Sequence, residues 1–112
     1  MMKGTTASMA FDIPGLEEAT AYIRSRYLVD SIFIFGSFAR GDARADSDID
    51  ICVTLQRTEK RILDIMVDLH AGLSAILERS IDVVVYDKKV FDERREAGAS
   101  FEKTIAAEGI AV

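Results

Sequence analysis

The clearest periodic signal in the chain is a strict alternation at residues 49–55, Ile-Asp-Ile-Cys-Val-Thr-Leu. Ile49, Ile51, Val53 and Leu55 fall on one side and Asp50, Cys52 and Thr54 on the other, which predicts a strand with one apolar face. Residues 31–36, Ser-Ile-Phe-Ile-Phe-Gly, are apolar on both sides and rich in branched and aromatic residues, the pattern of a fully buried strand. A third strand is predicted at 81–86, Ile-Asp-Val-Val-Val-Tyr. Between the second and third strands, residues 58–79 predict a helix. Its apolar stripe, Ile62, Ile65, Met66, Leu69, Leu73, Ile76 and Leu77, recurs at 3.6-residue spacing and suits a sheet-covering face. Upstream, a helix is predicted from Pro14, since proline is tolerated in a first turn; Leu16, Thr20, Ile23 and Tyr27 share one of its faces. The charged tail, 87–112, predicts one or two short helices, with Phe101, Ile105 and Ile110 packing back onto the body.

This order of elements implies an α/β (α+β) layer fold, a small mixed β-sheet covered by helices. Residues 1–12 read as a loose arm, small and polar without a period, and residues 13–112 as one domain. A chain of 112 residues supports one core. It leaves no room for a second, substrate-binding domain, so an enzyme of this length needs another molecule to complete its substrate site. With 14 Lys and Arg against 19 Asp and Glu, the net charge of -5 does not attract a phosphate backbone. This weighs against nucleic-acid binding by a broad basic face. No apolar run approaches the roughly 20 residues that span a bilayer, and residues 1–15 lack the apolar centre of a signal peptide. The single cysteine, Cys52, has no partner for an internal disulfide. These features together predict a cytoplasmic protein that does not enter membranes.

One segment carries chemistry. Gly36-Ser37 ends the first strand and, after ten residues, Asp48-Ile49-Asp50 begins the second. Two aspartates two apart on a strand project from the same face. Side by side in an apolar sheet they repel each other and are costly to bury unpaired. A divalent cation relieves that cost, and Mg²⁺ suits carboxylate oxygens while keeping positions open for substrate phosphates. Asp82 opens the third strand and can bring a third carboxylate beside the pair. Gly36, lacking a Cβ, allows a phosphate close to the backbone, and Ser37 adds a hydroxyl and an N–H. A triphosphate would thus be held by Ser37 at one end and by metals on Asp48 and Asp50 at the other.

The segment GSFARGDARADSDIDICV, residues 36–53, resembles the signature of the DNA polymerase beta-like nucleotidyltransferase superfamily. More narrowly it is similar to the minimal nucleotidyltransferases, small proteins often encoded beside a HEPN-domain partner. The resemblance implies the polymerase beta-like nucleotidyltransferase fold. It implies that Ser37 contacts the β- and γ-phosphates, with Gly36 and Arg40 in the nucleotide site, and that Asp48, Asp50 and Asp82 are catalytic and bind Mg²⁺, two ions. It also implies attack of an acceptor hydroxyl on the α-phosphorus of a nucleoside triphosphate, with pyrophosphate released. In toxin–antitoxin pairs, similar proteins transfer AMP from ATP to a tyrosine of the HEPN toxin and so silence its RNase.

Other residues have plainer readings. Asp42 and Asp46 are solvated loop residues. Arg40 can meet phosphate or a partner, or pair with a neighbouring aspartate. His70, beside the apolar stripe, is a boundary residue, and Cys52 a small buried thiol. Two alternatives to a protein adenylyltransferase stand at this point: an antitoxin that neutralises its partner by contact alone, and a transferase acting on a small hydroxylated molecule.

Overall fold

The computed structural model describes residues 13–112, and the arm expected at 1–12 lies outside the described residues. The elements are helix α1 (Leu16–Arg26), strand β1 (Val29–Phe35), a one-turn helix α2 (Ser37–Arg40) and strand β2 (Ile49–Leu55). Helix α3 (Ile62–Leu77), strand β3 (Ile81–Asp87), helices α4 (Lys88–Glu96) and α5 (Ser100–Glu108) and a two-residue strand β4 (Ile110–Ala111) follow. The sheet runs β3-β2-β1-β4. β1 is antiparallel to β2 and to β4, while β2 and β3 are parallel, so the sheet is mixed as expected. Parallel neighbours require a crossover, and α3 is that crossover.

The alternation of β2 divides the core in two. Ile49, Ile51, Val53 and Leu55 join Ile32, Ile34, Val83 and Val85 under α1 and α3, whose Ile23, Ile65, Leu69 and Leu73 are fully buried. On the other face Cys52 packs with Phe91 of α4 and Ile105 of α5, flanked by Phe33, Phe35, Val84 and Tyr86. The second face of β2 is therefore buried too, where the alternation predicted one apolar face. Cys52 and Thr54 are small enough to lie under α4 and α5, and only Asp50 of this strand is partly exposed. Burial pushes the Cys52 thiol up to about 12, with the charge of Glu102 adding to it, so the thiol is inert at neutral pH.

Several expectations need correction. β1 is buried only at Ile32 and Ile34, because its other face is half covered. α1 begins at Leu16, after Gly15 in the left-handed region (φ 86°), and Pro14 stays in the preceding turn. α3 begins at Ile62: the Thr58 hydroxyl accepts from the Lys60 amide, a local turn that competes with helix. The tail forms two helices and adds β4, which pairs with β1. Ile105 packs inward as expected, but Phe101 is 43% exposed.

The tail hides an ionic anchor. Glu102 is 1% exposed, and its Oε2 accepts from the Tyr86 hydroxyl (2.7 Å) and from Arg94 Nε (2.8 Å). Burial alone would raise its pKa, but these two hydrogen bonds, together with a backbone hydrogen bond and the charge of Arg94, hold it below the ordinary glutamate range. The anchor ties α4, α5 and β3 together.

Candidate active site

The sheet register brings the acidic residues together. Asp50 on β2 is directly opposite Asp82 on the parallel strand β3 and opposite Phe35 on the antiparallel strand β1. Asp82, Asp50 and Phe35 thus form a row across three strands, on the face covered further along by α4 and α5. Asp50 is half-buried while Asp82 and Asp48 are exposed. Asp50 has its pKa pushed up to about 6, first by burial, then by the charges of Asp82 and Asp48 and by a carboxyl–carboxyl contact with Asp82; Arg40 opposes this weakly. Such a pair carries surplus negative charge on hard oxygen donors, and the donor set fits a divalent cation of the Mg²⁺ kind. The close pair is Asp50 with Asp82. Asp48 lies just before β2 and acts on Asp50 through its charge, and among the described residues no three His, Cys, Asp or Glu side chains converge as a ready-made metal cluster.

Gly36 has a second use that sequence reasoning did not supply. Its backbone (φ 73°, ψ −147°) lies in a region that L side chains rarely adopt. A Cβ built there would collide with Asp50 Oδ2 and come within 3.0 Å of Asp50 Cγ. The space beside Gly36 is filled by the Asp50 carboxylate, so the glycine keeps that carboxylate in the row. Ser37 follows as the first residue of α2, and Gly41 (φ 84°) ends that helix. The Ser37 carbonyl accepts from the Gly41 and Asp42 amides, both at 3.0 Å, which fixes this tight turn. Arg40 pairs with Asp42 at 3.5 Å, with both side chains mostly exposed, so the solvated Asp42 has a partner and Arg40 remains reachable from the site.

A further residue escaped the sequence reading. Arg79, between α3 and β3, donates from Nη2 to the carbonyls of Ala45 (2.9 Å) and Ser47 (2.7 Å). Its guanidinium also lies over the Phe38 ring of α2, 5.1 Å from the centroid. It therefore ties the loop leading into Asp48 to the helix that begins at Ser37. No sequence signal marks it, because its partners are backbone carbonyls more than 30 residues away. His70 is exposed on α3 and lines, with Asp82, a groove at the edge of the row.

Comparisons with known proteins agree with this geometry. Residues 16–111 match the family described as "Nucleotidyltransferase domain". The chain is 35% identical over 63 residues to the protein adenylyltransferase MntA of Thermococcus cleftensis, a match spanning 56% of this chain and 62% of that protein's length. A solved structure described as a candidate minimal nucleotidyltransferase superposes with a TM-score of 0.61 at 28% identity, covering 85% of this chain and 87% of that one. A crystal structure of a toxin–antitoxin with AMP-PNP shares the fold, with a TM-score of 0.63 at 23% identity over 86% of this chain and 71% of that chain. None of the described helices is long and apolar enough to cross a membrane. Since the match runs from the first helix to the last strand, the chain belongs to the nucleotidyltransferase domain family.

Proposed function

We propose that the chain transfers AMP from ATP to a hydroxyl group of a protein partner, as the antitoxin of a pair with a HEPN-type toxin. The observation that carries this reading is the row in which Asp50 and Asp82 stand side by side, one strand away from the end of β1 where Gly36-Ser37 turns into α2. The relatives named protein adenylyltransferase support the reaction class, and the related fold of a toxin–antitoxin structure supports the setting.

In this reading Ser37 and Arg40 hold the β- and γ-phosphates, and Gly36 leaves room for Asp50. Asp48, Asp50 and Asp82 would hold Mg²⁺, two ions, which when bound would neutralise phosphate charge and steady the attacking and leaving oxygens. Asp82 is exposed, so its carboxylate can accept the proton of an incoming hydroxyl. The acceptor oxygen bonds to the α-phosphorus, the bond to the bridging oxygen of the β-phosphate breaks, and pyrophosphate leaves with that electron pair. A protein acceptor suits the surroundings of Asp82. A groove of about 390 Å³ beside it is lined by Leu63, Met66, Val67 and His70 of α3, and Leu63 and Val67 are exposed apolar side chains.

The test is to incubate the chain with ATP, Mg²⁺ and the product of the neighbouring gene, then weigh both proteins. One added AMP on the neighbour is expected; an unmodified neighbour beside a modified small hydroxylated compound would overturn the protein acceptor. Arg79 gives a subsidiary prediction. Arg79→Met releases the loop before Asp48, so kcat should fall about 10- to 100-fold, the usual cost of losing a residue that orients a metal ligand. The KM for ATP should change little, and steady-state kinetics with a melting curve checks both.

A further inference from the structure

We propose that Phe101, standing on Phe35, is the surface on which the nucleobase of the bound nucleotide stacks. The inference rests on the nucleotidyl-transfer reading and adds to it the part of the site that holds the base.

Phe35 is the register partner of Asp50, and directly opposed residues on antiparallel strands share a face. Phe35 therefore extends the carboxylate row toward β1 and immediately precedes Gly36-Ser37. The ring of Phe101 meets that of Phe35 edge to face, with centroids 5.6 Å apart and planes at 85°. Adjacent strands are about 4.8 Å apart, so the Phe35–Phe101 pair stands one strand away from Asp50. A ribose separates the reacting α-phosphorus from the base, so a stacking surface belongs beside the phosphate turn and not within it.

Exposure and rigidity both single out this ring. Phe91, from the same side of the sheet, is buried at 4%, whereas Phe101 is 43% exposed. An aromatic ring left in water gives up the stabilisation that burial brings. It is also not free to swing. Phe101 lies in the first turn of α5, and the next residue, Glu102, is the buried anchor held by Tyr86 and Arg94. The chain thus holds an exposed aromatic surface in a fixed position beside the phosphate turn, which is the arrangement that base stacking uses. Every base has a π-face, so stacking of this kind does not choose among bases.

The test is calorimetric titration of the chain in Mg²⁺ with ATP, with GTP and with inorganic tripolyphosphate, which has no base. Phe101→Ala should weaken ATP and GTP alike, by about 5- to 150-fold, and leave tripolyphosphate within about twofold of wild type. Phe101→Trp should keep the affinity for ATP. Because the natural chain has no tryptophan, its indole emission reports this position alone, and ATP but not tripolyphosphate should quench it. Unchanged ATP affinity in Phe101→Ala overturns the inference and leaves the transferase reading intact. So does a parallel loss of tripolyphosphate binding, or a defect confined to the KM of the protein acceptor. A wild-type chain that binds neither ATP nor tripolyphosphate overturns the transferase reading and this inference together.

Discussion

Asp50→Asn should abolish transfer and make the fold more stable at neutral pH. Both effects follow from the position of this carboxylate between Asp82 and the Asp48 loop. Removing its charge takes away a donor at the reacting centre, so transfer should fall by about 10³-fold or more, the scale of losing a preorganised electrostatic group. The stability effect has the opposite sign. Burial, then Asp82 and Asp48, raise the folded-state pKa of Asp50 from 3.8 to about 6. A carboxyl whose pKa is raised on folding costs no stability below about pH 4, where it is protonated in both states. The cost grows between about pH 4 and 6, where only the unfolded state ionises, and is constant above. Asparagine removes that cost. The gain over wild type should be about 1 kcal/mol at pH 7–8 after solvent screening, or about 4 °C in melting temperature. It should vanish near pH 4. Melting curves at pH 4 and pH 7.5 in chelator check the sign, and the adenylylation assay checks the activity. Full transfer by Asp50→Asn would remove Asp50 from the mechanism.

The same row shows what the sequence could and could not reveal. β2 was legible to the residue, Ile49–Leu55, because its alternation leaves one register that buries the isoleucines. Spacing singled out Asp48 with Asp50, but Asp48 lies just before β2 and the close pair is Asp50 with Asp82, which stood only as a third candidate at the start of β3. Pairwise register was not legible. Nothing in residues 49–55 or 81–86 states that Asp50 faces Asp82 rather than a neighbour; that is set by the crossover through α3 and the packing of both helical layers. The role of Gly36 was half legible. Its lack of a Cβ was the right property, but the group filling the space is Asp50, which lies 14 residues away and on another strand. Phe101 packs back onto the body against Phe35 as its aromatic character suggests, but the sequence does not show that nearly half of the ring stays exposed. The buried Glu102 sat in a charged tail with no local sign of its partners, Tyr86 and Arg94. Two-residue β4 is too short for any period to mark.

Gly36→Ala should be strongly damaging, and Gly41→Ala provides its control. Both glycines have positive φ, 73° and 84°, so alanine is strained at either. Residues held in such sparsely populated regions cost about 1–3 kcal/mol. At Gly41 that strain is the whole effect, because a Cβ there meets nothing within 4 Å. At Gly36 the new methyl also runs into the carboxylate of Asp50. The carboxylate is hemmed in by Asp82 on β3 and by the buried sheet beneath it, so it must leave the row or β1 must move away from β2. Overpacking of this kind adds about 1–3 kcal/mol. Gly36→Ala should therefore lose about 2–6 kcal/mol in all, against about 1–3 kcal/mol for Gly41→Ala. Transfer should fall to background in the first and persist in the second. Pairing Gly36→Ala with Asp50→Gly, which removes the carboxylate the methyl would strike, should restore part of the lost stability but none of the activity. Urea unfolding of the two single variants and the double variant measures this coupling. Additive losses in the double variant would mean that Gly36 does not act through Asp50.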